Sequence, residues 1–194
     1  MANIIEMEES FVIEDDFKNI LEKIEKENFE FLNENTEEDT YYTDPEEIFV
    51  RDRICLRTRK TNEDALELTY KPKTDNRTEQ YGKKESNVQV RVNDYRDLQY
   101  IINELGYKEY VSFKKHRKTY TKTINGIEHN IMLDTIDGVG KYIELELIVH
   151  TKEEQEANKS ELDAFVERMG CGNLKPKDRP YRDIVKSAKE RLYL

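Results

Sequence analysis

The chain has 194 residues, 42 acidic against 32 basic side chains and a formal net charge of −10, with 36% apolar and 38% charged residues. Leu, Ile, Val and Phe make up about a quarter of it, above the roughly 20% below which so charged a chain stays unfolded, so a folded domain with a thin core is expected. The acidic balance excludes bulk nucleic acid and anionic membrane as partners, and no apolar run approaches the roughly 20 residues of a membrane-spanning helix.

In chain order, Met1-Ala2-Asn3-Ile4-Ile5-Glu6 shows no basic region followed by an apolar stretch, so no signal peptide is read. Ile5, Met7, Phe11 and Ile13 then fall at spacing two, which predicts a strand. Glu14-Asp15-Asp16 offers a helix start, and Phe17, Ile20, Leu21 and Ile24 form an amphipathic stripe to about Asn28. The acidic stretch Glu34–Asp39 reads as a solvated loop, and Thr40-Tyr41-Tyr42 as a strand stopped by Asp44-Pro45. Asp52–Lys60 and Ala65–Lys73 form a hairpin across Thr61-Asn62-Glu63-Asp64, followed by a polar, mobile loop over 74–86. Val88, Val90 and Val92 mark another strand, and Asp94 can cap a helix carrying Leu98, Ile101, Ile102 and Leu105. Asn125-Gly126 joins two long strands, Val111–Ile124 and Ile127–Thr135, as a tight hairpin. Gly138-Val139-Gly140 leads into the strand Lys141–His150; helical patterns follow from Lys152 and from about Pro180 to Leu192. No repeat or linker interrupts the chain, so 1–194 reads as one α+β domain of about eight antiparallel strands. Cys55 and Cys171 lack CxxC or CxxH partners, which points to a reducing, cytoplasmic setting without a zinc site.

Splitting odd from even positions sorts the charges. Arg57 and Arg59 share one strand face, Lys71 and Lys73 another, Lys115 and Arg117 a third; Glu6 and Glu8 oppose Ile5 and Met7, and Glu144 and Glu146 oppose Ile143, Leu145 and Leu147. A half-buried sheet with a solvated charged face accounts for this pattern. So does a barrel whose charged faces look inward, with an anion neutralising the cations and a divalent metal held by the carboxylates.

The series Glu6-x-Glu8, Leu56-Arg57-x-Arg59, Leu68-Thr69-Tyr70-Lys71, Lys115-x-Arg117, Leu133-Asp134-x-Ile136-x-Gly138-x-Gly140 and Tyr142-Ile143-Glu144-x-Glu146 resembles the CYTH domain, or triphosphate tunnel metalloenzyme, family. Asp39-Thr40-Tyr41-Tyr42 and Pro180-Tyr181-x-Asp183-Ile184 also match its landmarks, and the likeness runs from about residue 4 to 186. The resemblance implies a closed eight-stranded antiparallel β-barrel, a tunnel with helices packed outside. It implies that Arg57, Arg59, Lys71, Lys115 and Arg117 bind a triphosphate. Glu6, Glu8, Glu144 and Glu146 would be catalytic carboxylates and, with Asp134, ligands of Mg²⁺ or Mn²⁺.

Two departures stand out. Where the family's first strand reads Glu-x-Glu-x-Lys, this chain has Ser10; where a middle strand usually reads Glu-x-Glu, it has Asn87-Val88-Gln89. Arg91, on the face of Asn87 and Gln89, is a candidate to replace the missing cation. Three functions are compatible with the pattern. The first is a class IV adenylyl cyclase-like enzyme converting ATP to cyclic AMP and pyrophosphate, a branch in which homodimers are common. The second is a triphosphatase acting on tripolyphosphate, thiamine triphosphate or a nucleoside triphosphate. The third, motivated by the departures, is a non-catalytic nucleotide or polyphosphate binder.

Overall fold

The computed structural model describes residues 5–62, 65–73 and 85–191. Eight strands follow the alternating segments: β1 (Ile5–Ile13), β2 (Glu30–Thr43), β3 (Cys55–Thr61), β4 (Ala65–Lys71), β5 (Ser86–Val90), β6 (Lys108–Ile124), β7 (Ile127–Ile136) and β8 (Gly140–Val149). Helices α1 (Lys18–Lys26), α2 (Ile48–Arg51), α3 (Tyr95–Glu104), α4 (Lys152–Ala157), α5 (Lys159–Arg168) and α6 (Tyr181–Arg191) lie between and after them. Glu63, Asp64 and residues 74–84, which hold part of the expected turn and most of the expected mobile loop, lie outside the described residues.

The strand order is β1-β8-β7-β6-β2-β3-β4-β5. Among the described residues β1 and β5 end the order and do not pair with each other, so the sheet is open and the expected closed barrel is corrected. Alternation fixes which side chains share a face, but it carries no information on whether the end strands meet. Here β5 has five residues. The edge of β1 away from β8 is occupied by another segment: Val12 N–H donates to Lys175 O at 2.9 Å and Lys177 N–H to Ser10 O at 2.8 Å, around a bridge between Phe11 and Pro176. Proline suits that position because the bridge draws its hydrogen bonds from the residues on either side.

The described residues fall into two compact units, one drawn from Met1–Glu34 and His116–Asp178, the other from Asn35–Lys115 and Arg179–Leu194. In the first unit β1, β8, β7 and the end of β6 pair antiparallel, with Met7 opposite Leu147, Asn130 opposite Glu146 and Arg117 opposite Asp134. One face is apolar: Met7, Ile131, Ile143, Leu145 and Leu147 are fully buried together with Phe165 of α5, whose ring stacks on Phe29 at 5.7 Å. Ile20 and Ile24 of α1 are buried, whereas Leu21 of the same expected stripe is half-exposed. The helical pattern from Lys152 is two helices; the Thr151 hydroxyl accepts from Glu154 N–H at the start of α4. His129 is fully buried and satisfied, with Glu161 and Ile127 O each at 3.0 Å from a ring nitrogen.

In the second unit β2, β3, β4 and β5 pair antiparallel in that order. Strand β2 begins at Glu30, so the stretch Glu34–Asp39 is strand and not the solvated loop expected from its acidity. Glu37 and Asp39 are buried, each within reach of a cation described below. Tyr41 stacks on Phe113 at 5.9 Å, and Leu66, Val111 and Val185 are buried. Asp94 precedes α3 but makes no side-chain cap; its carboxylate accepts from Arg91 at 2.7 Å. Arg182 of α6 donates to the carbonyls of Phe49, Val50 and Ile54, which satisfies the end of α2.

Candidate functional site

Alternation gathers the expected site residues of each unit on one face, and several of them are buried there. In the second unit they stand in cross-strand rows. Asp39, Arg59, Glu67 and Gln89 form one row; Tyr41, Arg57, Thr69 and Asn87 form the next. Arg59 grips Asp39 with two hydrogen bonds, at 2.6 and 2.8 Å, and reaches Glu37 at 3.1 Å. Lys115, whose side chain is 1% exposed, pairs with the same Glu37 oxygen at 3.0 Å and lies 5.3 Å from the ring centre of Tyr181. Lys71 pairs with Glu85, and Arg57 lies 3.9 Å from that carboxylate.

These pairs correct one premise of the sequence reading. The buried cations are tolerated because fixed carboxylates of the chain neutralise them, so burial alone demands no bound anion. Glu37, Asp39 and Glu85 are the residues that strand periodicity missed. Burial pushes the Asp39 carboxyl up, but Arg59, helped by Arg57 and Lys115, outweighs it and holds the group well below the usual carboxylate range. Burial likewise raises Glu85, and Lys71 and Arg57 reverse the shift.

Arg57 differs from its neighbour. Its Nη2 donates to Thr69 Oγ1 at 3.1 Å, while its buried Nε has no hydrogen-bond partner among the described residues. A buried guanidinium N–H without an acceptor is uncommon and marks a place where an oxygen ligand gains most.

The amides that depart from the family pattern are tied to β4: Thr69 Oγ1 donates to Asn87 Oδ1 at 2.8 Å and Gln89 Nε2 to Glu67 Oε2 at 2.8 Å. Arg91 does not serve as a replacement cation on that face; its side chain is 85% exposed and paired with Asp94.

The first unit holds the carboxylates. Its polar face carries Glu6, Glu8 and Ser10 of β1, Glu144 and Glu146 of β8, Asn130 and Asp134 of β7, and Arg117 of β6. Glu8 stands opposite Glu146, and Ser10 opposite Glu144. Arg117 belongs to this set: it binds both oxygens of the fully buried Asp134 and also Glu144. The other oxygen of Glu144 accepts from Lys177 at 2.6 Å. Asn130 Nδ2 donates to Glu128 at 2.8 Å and to Glu146 at 3.1 Å.

Glu146, by contrast, is held by the Asn130 amide. Burial, then the charges of Glu6, Glu8 and Glu144, push its carboxyl up to about 8 against the Asn130 hydrogen bond. Among the described residues no three His, Cys, Asp or Glu side chains converge as a formed metal-ion site. The donor set and its charge nevertheless fit a divalent cation. Glu6, Glu8 and Glu146 are hard oxygen donors whose mutual repulsion a cation would relieve, whereas Asp134 and Glu144 are engaged by Arg117 and Lys177.

Among the described residues no helix is long and apolar enough to cross a membrane. A family model, the CYTH domain, matches residues 5–173. A Methanocaldococcus jannaschii protein provisionally named an adenylate cyclase is 30% identical over 133 residues, covering 68% of this chain and 71% of that one. A Pyrococcus horikoshii protein of solved structure shares the fold at a TM-score of 0.71 and 27% identity, over 96% of this chain and 99% of its own. A Hippeastrum protein provisionally named an adenylyl cyclase, and reported to have a dominant triphosphatase activity, matches at a TM-score of 0.66 and 12% identity over 95% of each chain. That last likeness is one of fold.

Proposed function

Since this chain belongs to the CYTH domain family, we propose that it is a divalent-metal-dependent enzyme acting on a triphosphate, and that it converts ATP to cyclic AMP and pyrophosphate in the manner of a class IV adenylyl cyclase. The observation that carries the reading is the gathering of Arg57, Arg59, Lys71 and Lys115 on one face, with the Arg57 Nε lacking an acceptor among the described residues. Arg57 would bind phosphate oxygens through its fork, and Lys71 and Lys115 would add point charges. Arg59, gripped by Asp39 and Glu37, would present a fixed charge at that row. Glu6, Glu8 and Glu146 would hold Mg²⁺ or Mn²⁺, and Asp134 and Glu144 would keep Arg117 in place. The bound metal would neutralise phosphate charge and lower the pKa of the attacking ribose oxygen. Positioning and charge neutralisation are the contributions asked of the protein. The reading takes 1–194 as one functional domain in the cytoplasm, and the two free cysteines accord with that setting.

A second reading is a triphosphatase, in which water attacks the terminal phosphorus. It is favoured by the activity reported for the Hippeastrum protein of the same fold, since fold alone does not choose between the two reactions. One experiment separates them: the protein is incubated with ATP or tripolyphosphate and Mg²⁺ or Mn²⁺, and products are resolved by chromatography. Cyclic AMP with pyrophosphate supports the cyclase, and inorganic phosphate supports the hydrolase. Ligand-induced thermal stabilisation with no product at high protein concentration overturns both in favour of a binding protein.

A further inference from the structure

Lys177 lies beyond the residues matched by the family model, which end at 173, and no periodic pattern contains it. We propose that Lys177 is a substrate-binding cation of the acidic face, delivered from outside the sheet to the place where the first strand carries Ser10. The inference rests on the triphosphate reading above.

Three observations converge on it. The backbone is pinned: Lys177 N–H donates to Ser10 O at 2.8 Å, Val12 N–H donates to Lys175 O at 2.9 Å, and Pro176 bridges Phe11 between them. Ser10 stands opposite Glu144 in the β1–β8 register, and the Lys177 ammonium reaches that same Glu144 at 2.6 Å. The ammonium is also enclosed, its side chain being 9% exposed and its partner's 8%. A lysine at position 10 would start from the row opposite Glu144 and reach the same carboxylate from within the strand. The chain meets that need from a segment more than 160 residues later in sequence.

The charge pattern requires such a group. The polar face presents Glu6, Glu8, Asp134, Glu144 and Glu146, with Arg117 the cation that its strands contribute. A charged ammonium fixed at this row lowers the repulsion that an incoming polyphosphate would meet from the carboxylates.

The test is calorimetric titration of inorganic tripolyphosphate into the full chain with saturating Mg²⁺, which reads affinity independently of turnover. Lys177→Ala is expected to weaken binding about tenfold or more, and the double variant Ser10→Lys with Lys177→Ala to recover most of that loss. Lys177→Gln keeps a donor for Glu144 while removing the charge, and gives the same reading if the alanine variant does not fold. Wild-type affinity in Lys177→Gln or Lys177→Ala overturns the inference while leaving the triphosphate reading intact. A loss that Ser10→Lys fails to recover assigns Lys177 a role in folding alone and overturns it as well. A wild-type chain that binds no tripolyphosphate overturns both.

Discussion

Arg59 and Asp39 face each other across β3 and β2 and are joined by two parallel hydrogen bonds, Nε to Oδ1 at 2.6 Å and Nη2 to Oδ2 at 2.8 Å. Asp39 is fully buried and the Arg59 side chain is 16% exposed. The pair is therefore fixed by contacts within the chain, while Arg57, one row away, keeps a buried donor without an acceptor among the described residues. Two arginines at spacing two differ in their contacts: Arg59 is tied to Asp39 and Glu37, and Arg57 is the one we propose to bind phosphate.

Removing Asp39 leaves a guanidinium poorly compensated in a largely dry setting. Asp39→Ala is expected to cost about 3–5 kcal/mol of stability, the usual consequence of breaking a buried pair from one side. The pH dependence has a definite sign. Asp39 is held below its ordinary range in the folded chain, so below about pH 4 the unfolded chain binds more protons. Its contribution is thus present above that pH and is lost as the pH falls further. Urea melts from pH 2.5 to 7 should show a steeper acid loss in the wild type than in Asp39→Asn. Equal slopes would show that the pair does not control acid stability.

The β6–β7 turn gives a second expectation. Asn125 has φ 52° and Gly126 φ 82°, so both central residues are left-handed, as the tight hairpin turn requires. A Cβ at Gly126 meets nothing within 4 Å, which leaves backbone strain as the penalty. Gly126→Ala is expected to lower stability by about 1 kcal/mol, read from the urea midpoint with an unchanged m-value. A neutral result would mean that the turn relaxes to another type.

That turn was legible because its signal is local, and so were β1, β8 and the β3–β4 hairpin, whose alternation is regular. The first ten residues of β2 were not legible, because Glu30–Asp39 carries polar groups on both faces. Glu37 and Asp39 are buried through Arg59 and Lys115 on other strands, and that pairing is non-local. The same limit explains the barrel: period two placed Glu144 and Arg117 on a shared face but could not say whether β1 and β5 meet. Lys177 sits outside regular structure, where no sequence pattern marks it.

Glu146 supplies a pH-dependent expectation of opposite sign. Its carboxyl is raised from 4.5 to about 8 by burial and by Glu6, Glu8 and Glu144. Between those values the folded chain binds more protons than the unfolded one, so stability falls as the pH rises through the window. In EDTA, the Tm is expected to drop from pH 6 to pH 9, and Glu146→Gln to flatten the drop. Mg²⁺ should raise the Tm more at pH 8.5 than at pH 6, because ligation requires the ionised carboxylate. A Glu146→Gln variant that retains the wild-type slope would remove Glu146 from the acidic cluster's titration.

The contrast between the two arginines yields the last expectation. Arg57 donates to Thr69 and lies 3.9 Å from Glu85, whereas Arg59 is committed to Asp39 and Glu37. Arg59→Ala should therefore lower stability by about 3 kcal/mol or more, leaving a buried carboxylate uncompensated. Arg57→Ala should leave the Tm within a few degrees of the wild type but weaken tripolyphosphate binding by about 10- to 100-fold. Arg57→Lys should not restore affinity, because an ammonium cannot supply the planar fork that keeps Thr69 and a phosphate oxygen bound together. Calorimetric titration and thermal melts on the three variants check both halves. If Arg57→Ala lost stability as Arg59→Ala does while binding tripolyphosphate normally, the phosphate role would pass from Arg57 to another cation of the face.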